Sequence, residues 1–232
     1  IVLETTESTN QDAAKIAKTA PHGTTILADA QTAGRGRLGR SFFAPSGGIY
    51  MSVILHLNLA FSDAVLITTA ASVAVCKAVE AVSSVRPQIK WVNDILVDGK
   101  KVCGISCEAV SAGETIDAVI LGVGINFSAQ EFPKELQDTA GVLFSKPPVS
   151  RNVLTAEILK NLLEETKDLA SRKFIEDYRM RSAVIGKPIR YLEAGMWHEA
   201  DAVGINENGG LIVLENGLSR TLVSGEVTLR IR

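Results

Sequence analysis

The sequence has little of what marks disulfide-rich or metal-centred proteins. Only three cysteines and three histidines occur among its 232 residues, and no Cys-x-x-Cys pair is present. The histidines have no ligand-like spacing to the cysteines, so neither a disulfide framework nor a structural metal is expected. An odd number of cysteines in apolar surroundings indicates reduced, buried thiols in a cytoplasmic protein. These cysteines are Cys76, Cys103 and Cys107.

An excess of charge is also absent. Lys and Arg number 24 against 26 Asp and Glu, so the formal net charge is −2. Any basic site must therefore be local, and general attraction of the whole chain to nucleic acid or to an anionic membrane is not expected. The first residues lack the basic and apolar regions of a secretory signal. The uncharged stretch 41–62 is interrupted by Pro45, Gly47 and Gly48, which favours a loop and a buried strand over a membrane span.

What is present, within an ordinary globular composition of 46% hydrophobic residues, is a loop that alternates arginine with glycine. The loop is Gly34-Arg35-Gly36-Arg37-Leu38-Gly39-Arg40. Its three arginines carry planar, charged guanidinium groups, and its glycines allow the backbone to approach a ligand closely. The segment is suited to wrapping an anion, although a solvated loop or a nonspecific nucleic-acid contact would have a similar composition. It also fits Gly-x-Gly-x-x-Gly, but no helix begins after it, so a dinucleotide-binding turn is rejected.

The order of predicted elements indicates an α+β protein with a mixed sheet flanked by helices. Helices are predicted after Ser8-Thr9-Asn10 and over 63–82, 153–169 and 174–181. Strands are predicted over 25–28, 49–55, 88–92, 95–97, 101–110 and 116–122, with Asp98-Gly99 as a hairpin turn. Short glycine-separated strands after residue 185 predict a small C-terminal β-barrel of about 45 residues. The expected domains are residues 1–183 and 184–232.

A second group of charged residues lies on the central strands. Lys90 and Asp94 fall on one face if their strand is continuous, and Lys101 begins a strand whose odd positions continue with Cys103 and Ile105. A lysine with apolar neighbours on its own face is unusual, although it could extend from the strand edge to solvent. Beside three arginines, this group suggests a site for a carboxylate, a triphosphate and Mg²⁺.

These segments resemble the biotin protein ligases, also called biotin–[acetyl-CoA-carboxylase] ligases, in order and spacing. The resemblance covers essentially the whole chain. Its motifs are Ser8-Thr9-Asn10, 31–40, Lys90-Trp91-Val92-Asn93-Asp94, 101–105, 122–126 and Ser224-Gly225-Glu226-Val227. Two departures occur, because the family commonly has Pro at the position of Val92 and Trp at the position of Phe42. Neither departure removes a charged group.

The resemblance implies a two-step reaction. The biotin carboxylate attacks the α-phosphate of ATP, and a lysine of a biotin carboxyl carrier domain then attacks the resulting biotinyl-5′-AMP. Fixed cations must bring the two anions together, so Lys101 is predicted to bridge carboxylate and α-phosphate. The resemblance also implies catalytic roles for Arg37, Asp94 and Lys90, with Asp94 as a Mg²⁺ ligand or as a partner that orients a lysine.

The binding residues are likewise carried over from the resemblance. Biotin is expected to contact Ser8, Thr9, Asn10, Gln31, Gly34, Arg35, Gly36, Arg37, Lys101 and Gly104. ATP is expected to contact Arg35, Arg37, Arg40, Phe42, Lys90, Asn93, Lys101 and Asn126. The small C-terminal barrel is expected to be SH3-like and to assist closure over ATP and docking of the acceptor.

The same motifs bear on the expected partners and on alternative functions. Ser8-Thr9-Asn10 stands near the start of the sequence, which leaves no room here for the family's winged helix-turn-helix domain, and no DNA partner is expected. A lipoate ligase is one alternative, but its usual Arg-Arg-x-Ser-Gly-Gly-Gly stretch is absent. A nonenzymatic biotin or nucleotide sensor and a nucleic-acid-binding module are others. The protein is expected to be cytoplasmic and either a monomer or a homodimer.

Overall fold

A computed structural model gives the structure of the protein. It describes residues 1–36, 39–57, 64–112, 115–128, 131–223 and 225–229. Four α-helices occur in these ranges: α1 Thr9–Ile16, α2 Ala64–Val82, α3 Arg151–Lys167 and α4 Phe174–Met180. The strands of the first sheet are β1 Val2–Thr6, β2 Thr25–Gln31, β3 Ile49–Leu55, β4 Gln88–Lys90, β5 Asp94–Val97, β6 Lys100–Ala112 and β7 Thr115–Ile125. Those of the second sheet are β8 Pro188–Glu193, β9 Met196–Ile205, β10 Leu211–Glu215, β11 Leu218–Leu222 and β12 Glu226–Leu229.

The first sheet has seven strands in the order β1-β2-β3-β7-β6-β5-β4. Strands β1 and β2 pair in parallel, whereas every other neighbouring pair is antiparallel, so the predicted mixed sheet is confirmed. Strand β3 is buried along its whole length because it lies inside the sheet with helices on both faces. Strand β1 was missing from the sequence-based prediction, since two apolar residues followed by three polar ones in Val2–Thr6 show no apolar/polar alternation.

The two faces of this sheet are covered by different helices. Ala13 of α1 and Ala17, the residue that caps its C-terminus, pack against Ile26, Ile54 and Ile120 on one face. Helix α2 covers the other face and forms the centre of the main core. Helix α2 is also apolar and long enough to cross a membrane over Val65–Val82, but most of that segment is buried within the protein. Its hydrophobicity is therefore that of a core helix, as predicted for 63–82.

The second sheet is antiparallel, with the order β11-β10-β9-β8-β12. The predicted series of short C-terminal strands is confirmed. Strands β11 and β12 stand at opposite ends, and no pairing joins them within the described residues, so a closed barrel is not found. A bulge between Ile212 and Val213 shifts the register of β10 against β9 and bends the sheet locally.

The two sheets share one hydrophobic core. Apolar residues of β8–β12 belong to the same buried cluster as α2 and the central strands. The Trp91 indole donates a buried hydrogen bond to the Gly209 carbonyl at 2.9 Å. Arg179 of α4 donates to the Ile205 carbonyl at 2.8 Å and pairs with Glu207 at 2.6 Å. The C-terminal sheet is therefore held against the region that contains Lys90 and Asp94.

Candidate active site

A pocket opens where the N-terminus of α1 meets strands β3, β7 and β6. It encloses about 470 Å³ of empty space, including its open mouth. Its lining combines polar and apolar side chains, a common composition for a small-molecule site. Its lining comprises Ser8, Thr9, Asn10, Gln31, Arg35, Gly36, Phe42, Tyr50, Met51, Asn93, Lys101, Gly104, Ile105, Ser106, Gly122, Val123 and Gly124.

Polar groups cross the floor of this pocket over three adjacent strands. Ser52 of β3 and Ser106 of β6 each face Gly122 of β7 in register. The side chain of Asn10 lies over Gly122, because a Cβ atom there would collide with Asn10 Oδ1 and Ser106 Oγ. Asn10 Nδ2 donates to Ser106 Oγ at 3.1 Å, and Asn10 Oδ1 accepts from Ser52 Oγ at 2.6 Å. Gly122 thus makes the space in which a buried amide can span the sheet.

The beginning of α1 extends this polar surface toward β2. The backbone N–H of Thr9 donates to Gln31 Oε1 at 2.9 Å, which turns the Gln31 amide so that its NH₂ end is free to donate elsewhere. Thr9 Oγ1 lies 2.8 Å from Ser52 Oγ and 3.1 Å from Gln31 Oε1. Ser8, the N-cap residue, makes no side-chain capping bond. Ser8 and Thr9 are therefore buried polar residues that face the pocket rather than simple helix caps.

Lys101 reaches the pocket because strand β6 contains a bulge. Leu96 pairs with Lys101, but the preceding Ile95 pairs with Cys103, so Val102 has no opposite residue. The prediction that Lys101 shares a face with Cys103 and Ile105 was wrong, since the additional residue shifts the alternation by one position. Cys103 is buried in the core, whereas Lys101 lines the pocket together with Gly104.

The Lys101 ammonium is paired with a carboxylate and placed beside an aromatic ring. Lys101 Nζ lies 2.6 Å from Asp94 Oδ1 and 6.0 Å from the centre of the Phe42 ring. A Cβ atom at Gly104 would approach Lys101 Nζ to 3.2 Å, and one at Gly124 would approach the Phe42 ring to 2.7 Å. Both glycines are needed for close approach rather than for unusual backbone angles. Asp94 fixes the cation without removing it from the pocket, because the Lys101 side chain remains 36% exposed.

A second pocket of about 660 Å³ adjoins the first and shares Gly36, Phe42, Asn93 and Lys101 with it. Its own lining contains Arg40, Ser41, Lys90, Trp91, Asp94, Gly225 and Val227, the last two from the C-terminal segment. The strand does not continue from Lys90 to Asp94, so the condition under which the two residues would share a face along one strand is not met. Strand β4 ends at Lys90, and Lys90 pairs with Asp94 across a turn. The turn still brings both groups to one pocket, where they meet Lys101 and Arg40.

The Arg/Gly segment folds back on itself above the two pockets. Gly36 N donates to the Arg40 carbonyl at 2.7 Å, and Phe42 N donates to the Gly34 carbonyl at 2.8 Å. Gly39 has a φ of +74°, a conformation that favours glycine. A Cβ atom at Gly34 would approach the Phe42 carbonyl to 2.5 Å, so this glycine permits the backbones to pair. The Arg35 guanidinium faces Gln11, whose amide oxygen accepts from it at 2.6 Å in the favourable amide orientation.

The end of this segment is fastened to the sheet by buried and charged groups. Tyr50 donates its hydroxyl to the Pro45 carbonyl at 2.7 Å, and burial raises the pKa of that phenol, which keeps it a neutral donor. Ser46 and Arg151 donate to Asp29, and these hydrogen bonds lower the pKa of the Asp29 carboxyl. The chain is thus anchored directly after the residues that cover the pockets.

Asn126 lies away from both pocket linings. Its Nδ2 donates to the carbonyl of Gly141 at 2.9 Å and to that of Lys101 at 3.4 Å. Gly141 N in turn donates to the Lys101 carbonyl at 2.9 Å, and Asn126 N donates to the Val102 carbonyl at 2.8 Å. Asn126 therefore joins the end of β7 to the backbone at the start of β6, directly behind Lys101.

The structure brings most of the predicted residues together. Ser8, Thr9, Asn10, Gln31, Arg35, Gly36, Lys101 and Gly104 line the first pocket, and Arg40, Phe42, Lys90, Asn93, Asp94 and Lys101 line the second. Gly34 lies beside them in the covering loop, and Arg37 lies outside the described residues. Residues that the sequence analysis did not single out include Gln11, Ser52, Ser106, Glu108 and Tyr50. The available signals were the single serine, Ser52, within the otherwise apolar β3 and the two-residue spacing of Ser106 and Glu108 in β6.

The donor set was also tested for a metal ion. No group of three or more metal-ligating side chains occurs in the part of the chain that the structure describes. Asp94 supplies one carboxylate, which is paired with Lys101. One carboxylate together with phosphate oxygens is a usual environment for Mg²⁺, whereas a protein-only cage would need more ligands. The residues therefore fit an ion that arrives with a triphosphate.

Comparisons with known proteins agree with this geometry. The model of the biotin/lipoate A/B protein ligase family matches residues 2–126. The chain belongs to this family. It is 32% identical to the bifunctional ligase/repressor BirA of Bacillus spizizenii, over 98% of this chain and 72% of the relative. It is 30% identical to the biotin–[acetyl-CoA-carboxylase] ligase of Mycobacterium tuberculosis, over 97% of this chain and 87% of the relative.

A solved structure of a relative extends this agreement to the whole fold. The biotin protein ligase of Aquifex aeolicus in complex with biotin and ATP superposes with a TM-score of 0.86 at 28% identity. The match covers 99% of this chain and 97% of that one. Both sheets of the present structure therefore belong to the fold of a biotin protein ligase.

Proposed function

We propose that the chain is an ATP-dependent biotin protein ligase, which activates biotin as biotinyl-5′-AMP and transfers it to a lysine of a biotin carboxyl carrier protein. The observation that carries this proposal is the position of Lys101 on the wall shared by two adjoining pockets, held by Asp94 at 2.6 Å. The family, the named ligase relatives and the biotin-bound and ATP-bound neighbour support the same conclusion.

The first chemical step joins two anions. A carboxylate oxygen of biotin forms a bond to the α-phosphorus of ATP, and the bond to the bridging oxygen of pyrophosphate breaks. Negative charge builds on the phosphoryl oxygens between the pockets, where the Lys101 ammonium supplies a fixed donor. In the second step the amine of the acceptor lysine attacks the carbonyl carbon of the mixed anhydride. AMP leaves and the amine loses a proton, so no side-chain nucleophile of the protein is required.

The first pocket is assigned to biotin. Ser8, Thr9, Asn10 and Gln31 provide hydroxyl and amide groups for its ureido ring, and Met51 and Val123 provide apolar surface for the rest of the molecule. Gly104 lies beside Lys101, where the carboxylate must stand, and Arg35 and Gly36 line the same pocket as predicted contacts of biotin. Arg37 remains a predicted contact for the carboxylate and phosphate.

The second pocket is assigned to ATP. Lys90, Arg40 and Lys101 surround it with positive charge, and Phe42 supplies an aromatic surface. Mg²⁺ would be held mainly by the triphosphate with Asp94 as its one protein carboxylate, and when bound it would neutralise phosphate charge. Asp94 itself orients Lys101. The predicted contact of Asn126 with adenine or ribose is less favoured than a positioning role, because its amide already binds two backbone carbonyls.

We keep residues 1–183 and 184–232 as the functional division. The first part carries the biotin pocket, and the second contributes Gly225 and Val227 to the ATP pocket, which supports a role of the C-terminal part in closure over ATP. The SH3-like form of this part and its docking of the acceptor stay predictions. A cytoplasmic location and a monomeric or homodimeric state also stay predictions.

The proposed function is tested by two assays on the same preparation. Biotin-dependent exchange of labelled pyrophosphate into ATP reports adenylate formation, and biotinylation of a purified carrier domain reports transfer. Activity in both is the expected result. Biotin binding without exchange would support a nonenzymatic sensor, and exchange with lipoate but not with biotin would support a lipoate ligase.

Replacing Gly122 by alanine should weaken biotin binding by about 30-fold, because the new Cβ would displace Asn10 and Ser106 from the pocket floor. Titration calorimetry with biotin alone measures this loss. Gly204→Ala is the matched control, since its Cβ would lie 3.6 Å from Ile212 in ordinary contact within another strand. Unchanged biotin affinity in folded Gly122→Ala would contradict the assigned pocket.

Replacing Asn126 by alanine should lower the exchange rate at saturating substrates by about 10-fold, since the carbonyls of Lys101 and Gly141 lose a buried donor. The KM for ATP should change less than the rate. Asn161→Ala is the control, because that amide donates to the Glu157 carbonyl on α3. A large rise in the KM for ATP at an unchanged rate would instead assign Asn126 to the nucleotide.

A further inference from the structure

A row of hydrogen-bonded polar side chains crosses the floor of the first pocket and ends in the carboxylate of Glu108. Its other members are Thr9, Ser52, Asn10 and Ser106. Glu108 Oε1 accepts from Asn10 Nδ2 at 2.5 Å, and Ser106 Oγ accepts from the same nitrogen at 3.1 Å. A primary amide has two N–H groups on its nitrogen, so both are occupied. The oxygen end of the Asn10 amide must then face the opposite direction, where Ser52 Oγ donates to it at 2.6 Å.

The strands create this arrangement through their register. Ser106 and Glu108 are two residues apart on β6 and therefore lie on the same face. Ser106 faces Gly122 on β7, and Gly122 faces Ser52 on β3. Asn10 lies in the gap above Gly122, with acceptors for its nitrogen on one side and a donor for its oxygen on the other. An ionised carboxylate can only accept hydrogen bonds, whereas a hydroxyl or an amide can also donate them. Glu108 is therefore the one member of the row that must act as an acceptor.

The direction of the remaining hydrogen bonds follows from the number of protons. Ser52 has one hydroxyl proton, which it donates to Asn10 Oδ1. The contact of 2.8 Å between Ser52 Oγ and Thr9 Oγ1 then takes the Thr9 proton, for which Gln31 Oε1 at 3.1 Å is a second, more distant acceptor. Gln31 Oε1 is satisfied by the backbone N–H of Thr9 at 2.9 Å. The chain of donors therefore runs from Thr9 through Ser52 and Asn10 to Glu108, away from the pocket.

We infer that Glu108 is a positioning residue that determines specificity for N–H donors, an inference that rests on the proposed binding of biotin in this pocket. Its carboxylate fixes the direction of the chain, so that Thr9 Oγ1 presents lone pairs to a ligand rather than its proton. The ring N–H groups of biotin's urea are the donors selected. Without the carboxylate, the Asn10 amide can rotate by half a turn and the chain reverses. Ser52 then donates to Thr9 Oγ1 and occupies one of its lone pairs, and the Thr9 proton is released toward Gln31 Oε1 or the pocket.

The inference is tested with two ligands that differ in one group. Biotin is compared with its cyclic carbamate analogue, in which a ring oxygen replaces one N–H, by titration calorimetry on the whole chain. The unaltered protein should prefer biotin by about 30-fold or more. Glu108→Ala should bind biotin about 30-fold more weakly and should prefer it over the carbamate by no more than about 3-fold. The exchange rate of Glu108→Ala at saturating biotin should stay within about 3-fold of the original.

Two further variants control for charge and folding. Glu108→Gln keeps the size of the side chain and should show an intermediate loss of both affinity and preference. Glu164→Gln removes an exposed carboxylate from α3 and should behave like the unaltered protein. Thermal melting curves establish that each variant is folded.

The possible outcomes separate this inference from the proposed function. An unaltered preference for biotin over the carbamate in Glu108→Ala would overturn the inference, whether or not both affinities fall, and would leave the ligase function intact. Failure of the unaltered protein to bind biotin and to catalyse biotin-dependent exchange would refute the proposed function and the inference with it.

Discussion

Lys101→Met should form the adenylate at least about 100-fold more slowly than the unaltered protein, the scale seen when one preorganised donor to a developing negative charge is removed. Methionine retains an unbranched side chain beside Phe42 and Gly104 but cannot neutralise the carboxylate and the α-phosphate. It also leaves the Asp94 carboxylate without its cation, which adds a repulsive charge to the site. Pyrophosphate exchange at saturating biotin and ATP measures the effect.

Lys100→Met is the matched control for this experiment. The neighbouring lysine donates to the Gln137 carbonyl at 3.0 Å and does not line either pocket. Its replacement should change exchange by less than about 2-fold, because an exposed charge outside the site has little effect on the reaction. Exchange within a few-fold of normal in folded Lys101→Met would remove Lys101 from its assigned role.

Biotin should be activated in preference to lipoate by about 1,000-fold or more, measured as the ratio of kcat/KM in pyrophosphate exchange. A dithiolane ring has no strong donor or acceptor, so it would cover the polar groups of Ser8, Thr9 and Gln31 that line the pocket without forming hydrogen bonds to them. Each such group costs about 1 to 3 kcal/mol. Asn10→Ala should reduce the preference mainly by weakening biotin, with little change in ATP affinity. Comparable turnover of the two acids would favour a lipoate ligase.

In this pocket, the sequence predicted which residues belong to the site better than it predicted what each residue does. Asn10 could be predicted as part of a motif, but its hydrogen bonds to Ser106 and Glu108 join positions 96 and 98 residues away. Nothing local in the sequence pairs these positions. The partners of Asn126 are distant in the same way, and its hydrogen bonds to them are the basis for proposing that it supports Lys101.

Composition and local pattern by themselves determined the class of the protein. Periodicity and turn signals gave most helices and strands of an α+β fold, because these depend on neighbouring residues along the chain. The ordered motifs indicated the ligase chemistry through their resemblance to the biotin protein ligases. The sequence did not reveal why glycines occur at positions 122 and 124. In the structure they allow Asn10 and Phe42 to approach β7 closely.

Only the tertiary structure decided which face of β6 carries Lys101. In a regular strand, residues at alternate positions lie on the same face of the sheet. Because Val102 is an additional, unpaired residue, the residues before it lie on the opposite face from the one that alternation predicts. Whether the strand can accommodate that residue depends on its pairing with β5, which is a contact between separate segments. The sequence therefore determined that a lysine, an aspartate and an arginine loop belong to the site, and strand pairing determined that the lysine faces both pockets.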